Sequence, residues 1–174
     1  AGPTHEAIDP VRFNGNHSSG KMGFAMAEIA AQRGAEVVLV SGPVSLTTPE
    51  GVERVDITSA QEMFDSVLRF FTESDIVIMA AAVADYTVKH PSTSKIKKKT
   101  ADLDLKLEKT KDVLRHLGES KEHQLLIGFA LETDNEVENA IEKLRAKNLD
   151  AIVLNSLKSE GAGFATDTNQ ITII

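Results

Sequence analysis

The sequence predicts an α/β fold: a mostly parallel sheet flanked by helices. Three observations carry that prediction. The runs Glu36 to Ser41 (EVVLVS), Asp75 to Ala81 (DIVIMAA) and Leu125 to Ala130 (LLIGFA) are short and almost wholly apolar, as strands covered on both faces tend to be. Amphipathic stretches with helical spacing lie between them. A glycine- and serine-rich loop, DPVRFNGNHSSGKMG from Asp9 to Gly23, leads into an Ala-rich amphipathic run, Phe24 to Gln32. Strands alternating with helices favour parallel pairing with right-handed crossovers.

Taken in order, Ala1-Gly2-Pro3-Thr4 resembles the turn that follows a strand, although no strand precedes it. The expectation is one domain, 1–174, with an N-terminal strand and a C-terminal segment lying outside it. Phe24 to Gln32 is the first helix. Glu36 to Ser41 is a strand ended by Gly42-Pro43, and Val52 to Ile57 is a weaker one. Ala60 to Phe71 places Met63, Val67, Leu68 and Phe71 on one helical face. Asp75 to Ala81 is a strand, after which the chain passes through Val83, Asp85 and Tyr86 into a polar loop. Leu103 to Leu107 alternates and reads as an edge strand. Leu125 to Ala130 is a buried strand. Asn135 to Lys147 is a helix with Val137, Ala140, Ile141 and Leu144 on one face. Ala151 to Leu154 and Gln170 to Ile174 are the last strands. Ligands of such sheets bind beyond the carboxyl ends of the strands. Four loops are therefore expected to converge: Asn14 to Gly23, Ala80 to Tyr86, Phe129 to Thr133, and Asn155 onward.

Composition narrows the function. At 174 residues, 41% hydrophobic and 26% charged, the chain has the size and balance of one globular domain. It contains no cysteine, which excludes disulfides and thiolate metal sites. No apolar run approaches the roughly 20 residues that span a bilayer, and the N-terminus lacks a signal-peptide layout. The expected setting is cytoplasmic, without a membrane partner. A net charge of −7 argues against nucleic acid as a partner. Yet seven of the nineteen Lys and Arg residues fall between Lys95 and Lys111. A local basic segment in an acidic chain suits a small polyanion; the plain alternative is a solvated charged loop.

The glycine-rich loop is the main functional signal. A small-residue loop before a helix exposes unpaired N–H groups and the positive end of the helix dipole, which together cradle phosphate. Two motifs almost fit. Gly15 to Lys21 matches G-x-x-x-x-G-K, but Met22 stands where a P-loop needs a hydroxyl for Mg²⁺. The dinucleotide fingerprint needs G-x-G-x-x-G, and here the first gap is four residues. Asn14 and Gly15 also make a poor end for a preceding strand. The structural alternative is a glycine turn capping a core helix.

AGPT, DPVR, NHSSGKMG, LVSGP, AAVADY, KIKK, GFALET and KNLD occur in this order along nearly the whole chain. The set resembles the phosphopantothenoylcysteine synthetase domain of the bacterial bifunctional phosphopantothenoylcysteine decarboxylase/phosphopantothenate–cysteine ligase family. The resemblance implies a Rossmann-like sheet with a mobile basic flap, and a ligase of coenzyme A biosynthesis. The carboxylate of 4′-phosphopantothenate attacks the α-phosphate of CTP, giving an acyl-cytidylate and pyrophosphate. The amine of cysteine then attacks the acyl carbon and releases CMP. Such chemistry needs positioning and neutralised phosphate charge rather than a protein nucleophile. The resemblance also implies Mg²⁺ carried with CTP, a homodimer, and fusion to or association with a flavin-dependent decarboxylase, whose own half is not among these residues.

Residue by residue, the resemblance makes Asn16 and Lys95 catalytic. Asn16 would hold the acyl-cytidylate carbonyl and so touches substrate; its structural alternative is a turn-forming Asn. Lys95, first of the KIKK lysines, would offset charge on the transferring phosphates. Ser18, Ser19 and Gly20 would offer donors to phosphate. Arg12 either binds substrate phosphate or pairs with Asp9. Met79, Ala80 and Ala81 would line the nucleotide pocket through their backbone. Asp85 would bind ribose or the Mg²⁺ that CTP brings. Thr110-Lys111-Asp112-Val113 lies where relatives carry Asn-Pro-Asp-Ile, so the acid is kept and the Asn and Pro are not. Phe129 would pack on the base. Lys143 and Lys147, four apart on one helix face, match two nucleotide-site lysines. Asn14 is a further departure, standing where relatives carry an apolar residue. The segment His90 to Ala101 is the expected flap. Two other readings remain: a nicotinamide-dependent oxidoreductase, which lacks Tyr-x-x-x-Lys because Tyr86 is followed at that spacing by His90, and a non-catalytic nucleotide-binding module.

Overall fold

The computed structural model describes residues 1–98, 103–132, 134–156 and 170–174. The chain divides into two compact units, one of residues 1–66 and 81–111, the other of residues 67–80 and 112–174.

The first unit is assembled from short pieces. β1 (His5–Ala7) and β2 (Phe13–Gly15) form an antiparallel hairpin in which His5 faces Gly15. The His5 ring stacks on Phe13 with centroids 3.7 Å apart. Helix α1 (Lys21–Gln32) packs on β3 (Val37–Ser41), which pairs in parallel with β4 (Val52–Asp56). Phe24, Ala27 and Leu39 are buried together there, with Ala1, Val37, Val44, Leu46 and Val52 packed around them. Ala1 to Thr4 lies outside any strand, with Gly2 at φ 69° and Pro3 forming an isolated parallel bridge to Ala82. The Ala1 amino group donates to Val40 O at 2.6 Å, Gly42 N donates to Ala1 O, and Ala82 N donates to Gly2 O at 2.9 Å.

Helix α2 (Ala60–Phe71) begins in this unit. Its start is a capping box: Glu62 N donates to Ser59 Oγ, and Glu62 Oε2 accepts from Ser59 N and Thr58 N. The buried Glu6 carboxylate adds a bond from Ala60 N at 2.8 Å.

The second unit holds a continuous four-stranded sheet in the order β10-β9-β8-β5. It consists of β5 (Ile76–Met79), β8 (Leu125–Glu132), β9 (Ala151–Ser156) and β10 (Ile171–Ile173). β5–β8 and β8–β9 are parallel, and β9–β10 is antiparallel. Leu126, Ala130, Ile152 and Leu154 project from one face and are buried. Helices α3 (Val113–Ser120) and α4 (Glu136–Ala146) pack there, bringing Val113, Leu114, Leu117 and Ala140. On the other face Ile76, Ile78, Leu125 and Leu131 are 56%, 42%, 50% and 43% exposed.

The mixed α/β architecture bears out the Rossmann-like class: helices separate the parallel strands β5, β8 and β9, whereas a loop alone joins the parallel pair β3 and β4. Three local expectations change. Asn14 and Gly15, read as poor strand formers, are the β2 residues that pair with β1. The edge strand expected over Leu103 to Leu107 begins only at Leu107: β7 (Leu107–Lys109) pairs antiparallel with β6 (Tyr86–Val88) in the first unit, with Leu107 facing Val88. Alternation alone marked a strand where no partner strand runs. Helix α3 was not foreseen, because Gly118 and the polar His116 and Glu119 mask an eight-residue stripe. The loop expected from Asn155 onward and the flap residues 99–102 fall largely outside the described residues.

Candidate functional site

The predicted residues fall into two groups, one in each unit. In the first unit β2 delivers the chain directly to Asn16. The Asn16 Nδ2 donates to Val83 O at 3.1 Å and to Ala82 O at 3.5 Å. The amide thus ties the glycine-rich loop to the AAVADY loop, and the side chain stays exposed. Asn14 makes a similar bond, from Nδ2 to Tyr86 O at 3.4 Å. That polar link is what replaces apolar packing at this position.

The loop then meets α1 as the sequence suggested. Gly20 is its N-cap residue with φ 75° and no side-chain cap, a left-handed conformation that glycine adopts without strain. Ser18 Oγ accepts from Gly20 N at 3.3 Å and Ser19 Oγ from Lys21 N at 3.4 Å. These are long bonds, easily exchanged for better ones. No acidic side chain sits in the first turn of α1, so nothing there opposes an anion.

Ala81 follows in the same unit and is half-buried, and Asp85 is exposed. Asp85 O accepts from Thr110 N at 3.0 Å, and Thr110 Oγ1 donates to Ala84 O at 2.7 Å. Thr110 therefore spends its side chain on holding the Asp85 loop. Lys111 Nζ lies 4.5 Å from the centre of the Phe64 ring, a cation–π contact. Lys95 is exposed.

Sequence reasoning left Arg12 between two roles. Here it pairs with Asp9, whose side chain is fully buried. Arg12 Nη2 and Nε both donate to Asp9 Oδ2, and Nη2 also donates to Ile96 O at 2.9 Å. Asp9 Oδ2 accepts from Ile96 N at 3.0 Å, and Oδ1 from Val11 N and Arg12 N. The Arg12 hydrogen bond, opposed by burial and aided by these N–H groups, holds the Asp9 carboxyl well below its usual pKa. Ser92 N donates to Ile8 O at 2.9 Å in the same region.

In the second unit Met79 ends β5, and Met79 and Ala80 are half-buried. Asp112 is the N-cap of α3, accepting from Arg115 N at 3.0 Å. Lys147 Nζ reaches the same carboxylate at 3.0 Å. Burial raises the Asp112 pKa, but the Arg115 N–H, the Lys147 hydrogen bond and the charges of Lys147 and Arg115 outweigh it and leave a net lowering. Val113, next to it, is buried and serves the core. Lys143 Nζ donates to Phe129 O at 2.7 Å. Lys143 is thus tied to Phe129, and Lys147 to Asp112, through protein acceptors.

Gly118 contributes to this group without having been foreseen. A Cβ there would lie 1.9 Å from Lys147 O, and Asn148 Nδ2 donates to Gly118 O at 2.8 Å. The missing side chain lets the end of α4 sit directly on α3. Only a contact across the fold reveals this, and residue types along the chain carry no sign of it.

Chemically, the first group offers main-chain and hydroxyl donors, an exposed amide and an exposed lysine. The second offers two lysines, a carboxylate and an aromatic. Among the described residues no group of three or more His, Cys, Asp or Glu gathers to hold a metal, and no helix is long and apolar enough to cross a membrane.

Residues 1–174 match the family described as the DNA/pantothenate metabolism flavoprotein C-terminal domain. The chain is 53% identical over 174 residues to the coenzyme A biosynthesis bifunctional protein CoaBC of Bacillus subtilis, covering 99% of this chain and 43% of that protein. Among solved structures, it is similar to the C-terminal domain of a coenzyme A biosynthesis bifunctional protein CoaBC. The TM-score is 0.81 and the identity 45%, over 100% of this chain and 82% of the other. It is also similar to the DNA/pantothenate metabolism flavoprotein of Streptococcus pneumoniae, with TM-score 0.84 and 25% identity, over 99% and 90% of the two chains. The chain spans less than half the length of the Bacillus relative.

Proposed function

The chain belongs to the DNA/pantothenate metabolism flavoprotein C-terminal domain family, and we propose that it is the phosphopantothenate–cysteine ligase domain of coenzyme A biosynthesis. In this reading it joins 4′-phosphopantothenate to cysteine through an acyl-cytidylate made from CTP. The observation that carries the reading is Asn16. Its amide is fixed to Val83 O at 3.1 Å at the mouth of a loop that starts α1, where Ser18 and Ser19 hold the Gly20 and Lys21 N–H groups only by long bonds. An amide beside a phosphate cradle suits an acyl phosphate ester, whose carbonyl and phosphate must be held together.

The first unit handles the acyl and phosphate groups. Ser18, Ser19 and Gly20 donate to phosphate, and Lys95 offsets the charge that develops during transfer. The second unit handles the nucleotide. Phe129 packs on the cytosine, and Lys143 and Lys147 exchange their present acceptors for ligand oxygens. Asp85 is one carboxylate, which suits a Mg²⁺ that brings most of its ligands with the triphosphate. Cysteine supplies the second nucleophile, its amine attacking the acyl carbon held by Asn16.

The test is pyrophosphate release from CTP with 4′-phosphopantothenate, with and without cysteine. Release in both cases, with CMP and the amide product only when cysteine is present, supports the ligase. Binding of CTP without turnover points to a nucleotide-binding module. Calorimetric titration is expected to favour CTP over ATP; tighter NADPH binding would favour an oxidoreductase.

A further inference from the structure

We infer that Asp9 and Arg12 are positioning residues that hold Lys95 by clamping the backbone of its neighbour Ile96. The inference rests on the ligase reading, in which Lys95 meets the transferring phosphates, and assigns Asp9 and Arg12 a task that does not involve touching them.

The geometry is a closed loop of four groups. The Asp9 carboxylate accepts from Ile96 N at 3.0 Å and from Arg12, while Arg12 Nη2 donates to Ile96 O at 2.9 Å. Both main-chain polar groups of Ile96 are therefore taken, by side chains that are themselves paired. Asp9 is fixed in turn by Val11 N at 2.8 Å and Arg12 N at 2.9 Å, and its side chain is wholly buried. Charge-assisted bonds to a buried carboxylate are the strong kind.

The segment that is held needs holding. Residues 89–98 contain no strand or helix, and Lys95, Lys97 and Lys98 are exposed. Three cations in four residues repel one another. A segment with no sheet partner keeps a defined path only if side chains supply the bonds that a ladder would supply. The clamp does so at the residue between Lys95 and Lys97. It sits 84 residues from Arg12 in sequence, so it also fixes the segment to the loop that leads, four residues on, to Asn16. A misplacement of a catalytic group by about 1 Å can cost on the order of a hundredfold in rate. An Arg12 committed to Asp9 and Ile96 O is poorly placed to bind substrate phosphate as well.

The experiment uses the whole chain and three variants: Asp9→Asn, Arg12→Lys and Lys95→Gln, with the Asp9→Asn/Lys95→Gln double variant. Hydrogen exchange of residues 92–98 in the free protein reads the clamp itself. Turnover reads its consequence. Asp9→Asn is expected to speed exchange at the Ile96 amide about tenfold or more. It should lower kcat about thirtyfold while the KM for CTP changes less than about twofold. Arg12→Lys keeps the charge but loses the fork, and is expected to lower kcat about fivefold. In the Lys95→Gln background Asp9→Asn should cost less than about twofold more, because its target is already gone. Independent, multiplying losses would overturn the inference, as would an unchanged Ile96 exchange rate. So would an Arg12→Lys variant whose KM rises while kcat holds, because that variant would mark direct binding. Should Asp9→Asn fail to fold, Arg12→Lys, whose side chain is 43% exposed, carries the same exchange and kinetic test. A wild-type chain that releases no pyrophosphate sinks the ligase reading and this inference together; an active wild type with multiplying losses sinks this inference alone.

Discussion

The two units solve different problems with different means. The second is held by repetition: four strands in one ladder, with Leu126, Ile152, Leu117 and Ala140 fully buried. The first is held by exceptions. Its strands come in pairs, and the paths between them are fixed by single side chains: Asp9 on Ile96, Thr4 Oγ1 accepting from Ala84 N at 2.9 Å, Glu6 on Ala60 N, Asn16 on Val83 O. Repetition gives stability that no one bond decides. Exceptions aim particular loops, and each can be lost by one substitution. The residues proposed for bond making and breaking lie in the unit of exceptions, and those proposed for the nucleotide lie mainly on the regular frame.

If that division is right, the largest effect belongs to Asn16. Asn16→Asp is expected to lower product formation about a thousandfold while calorimetry shows CTP binding within about threefold of wild type. Parallel loss of both would place Asn16 in the scaffold instead and break the comparison. Next is the frame. Leu126→Ala empties a fully buried site and should cost about 3 kcal/mol in urea unfolding. Ile76→Ala, on the open face of the same sheet, should cost under about 0.5 kcal/mol.

The pH response comes third. The carboxyls held below their usual pKa are Asp9 in the first unit and Asp112 and Asp150 in the second. Such groups contribute stability above the unfolded value of about 4 and lose it as pH falls through the folded pKa. Exchange protection of β8 and of the Ile96 amide should therefore stay level from about pH 8 to about pH 5 and fall below about 4. A loss already complete at about pH 5 in either unit would break this expectation. The smallest effect is expected for Lys147→Ala: about tenfold weaker CTP binding with kcat changed less than about threefold, by titration and steady-state kinetics.

What the sequence disclosed follows the same line. Helices α2 and α4 and strands β3, β8 and β9 were legible because a stripe or an apolar run repeats within the element itself. The β1–β2 hairpin was hidden, since Phe13-Asn14-Gly15 has the composition of a turn and becomes a strand only by pairing with His5–Ala7. Likewise Leu103, Leu105 and Leu107 alternate, yet pairing starts where Val88 provides a partner. For the site, the glycine loop opening a helix was plain from residue types. The Asp9–Arg12 pairing was one of two options, and its grip on Ile96 could not be read from residues so far apart in the chain. The acceptors of Lys143 and Lys147 were equally out of reach, because helical spacing sets a face and not a partner.

Gly118 has a genetic consequence. The place of Lys147 depends on a position with no side chain, where any added carbon would strike Lys147 O. Such a residue can be read neither by its chemistry nor by its exposure. Substitution there would displace the cation without altering any ligand-binding group. If Lys147 meets the nucleotide as proposed, a screen for conditional alleles should recover lesions at this helix crossing as readily as at the lysine itself.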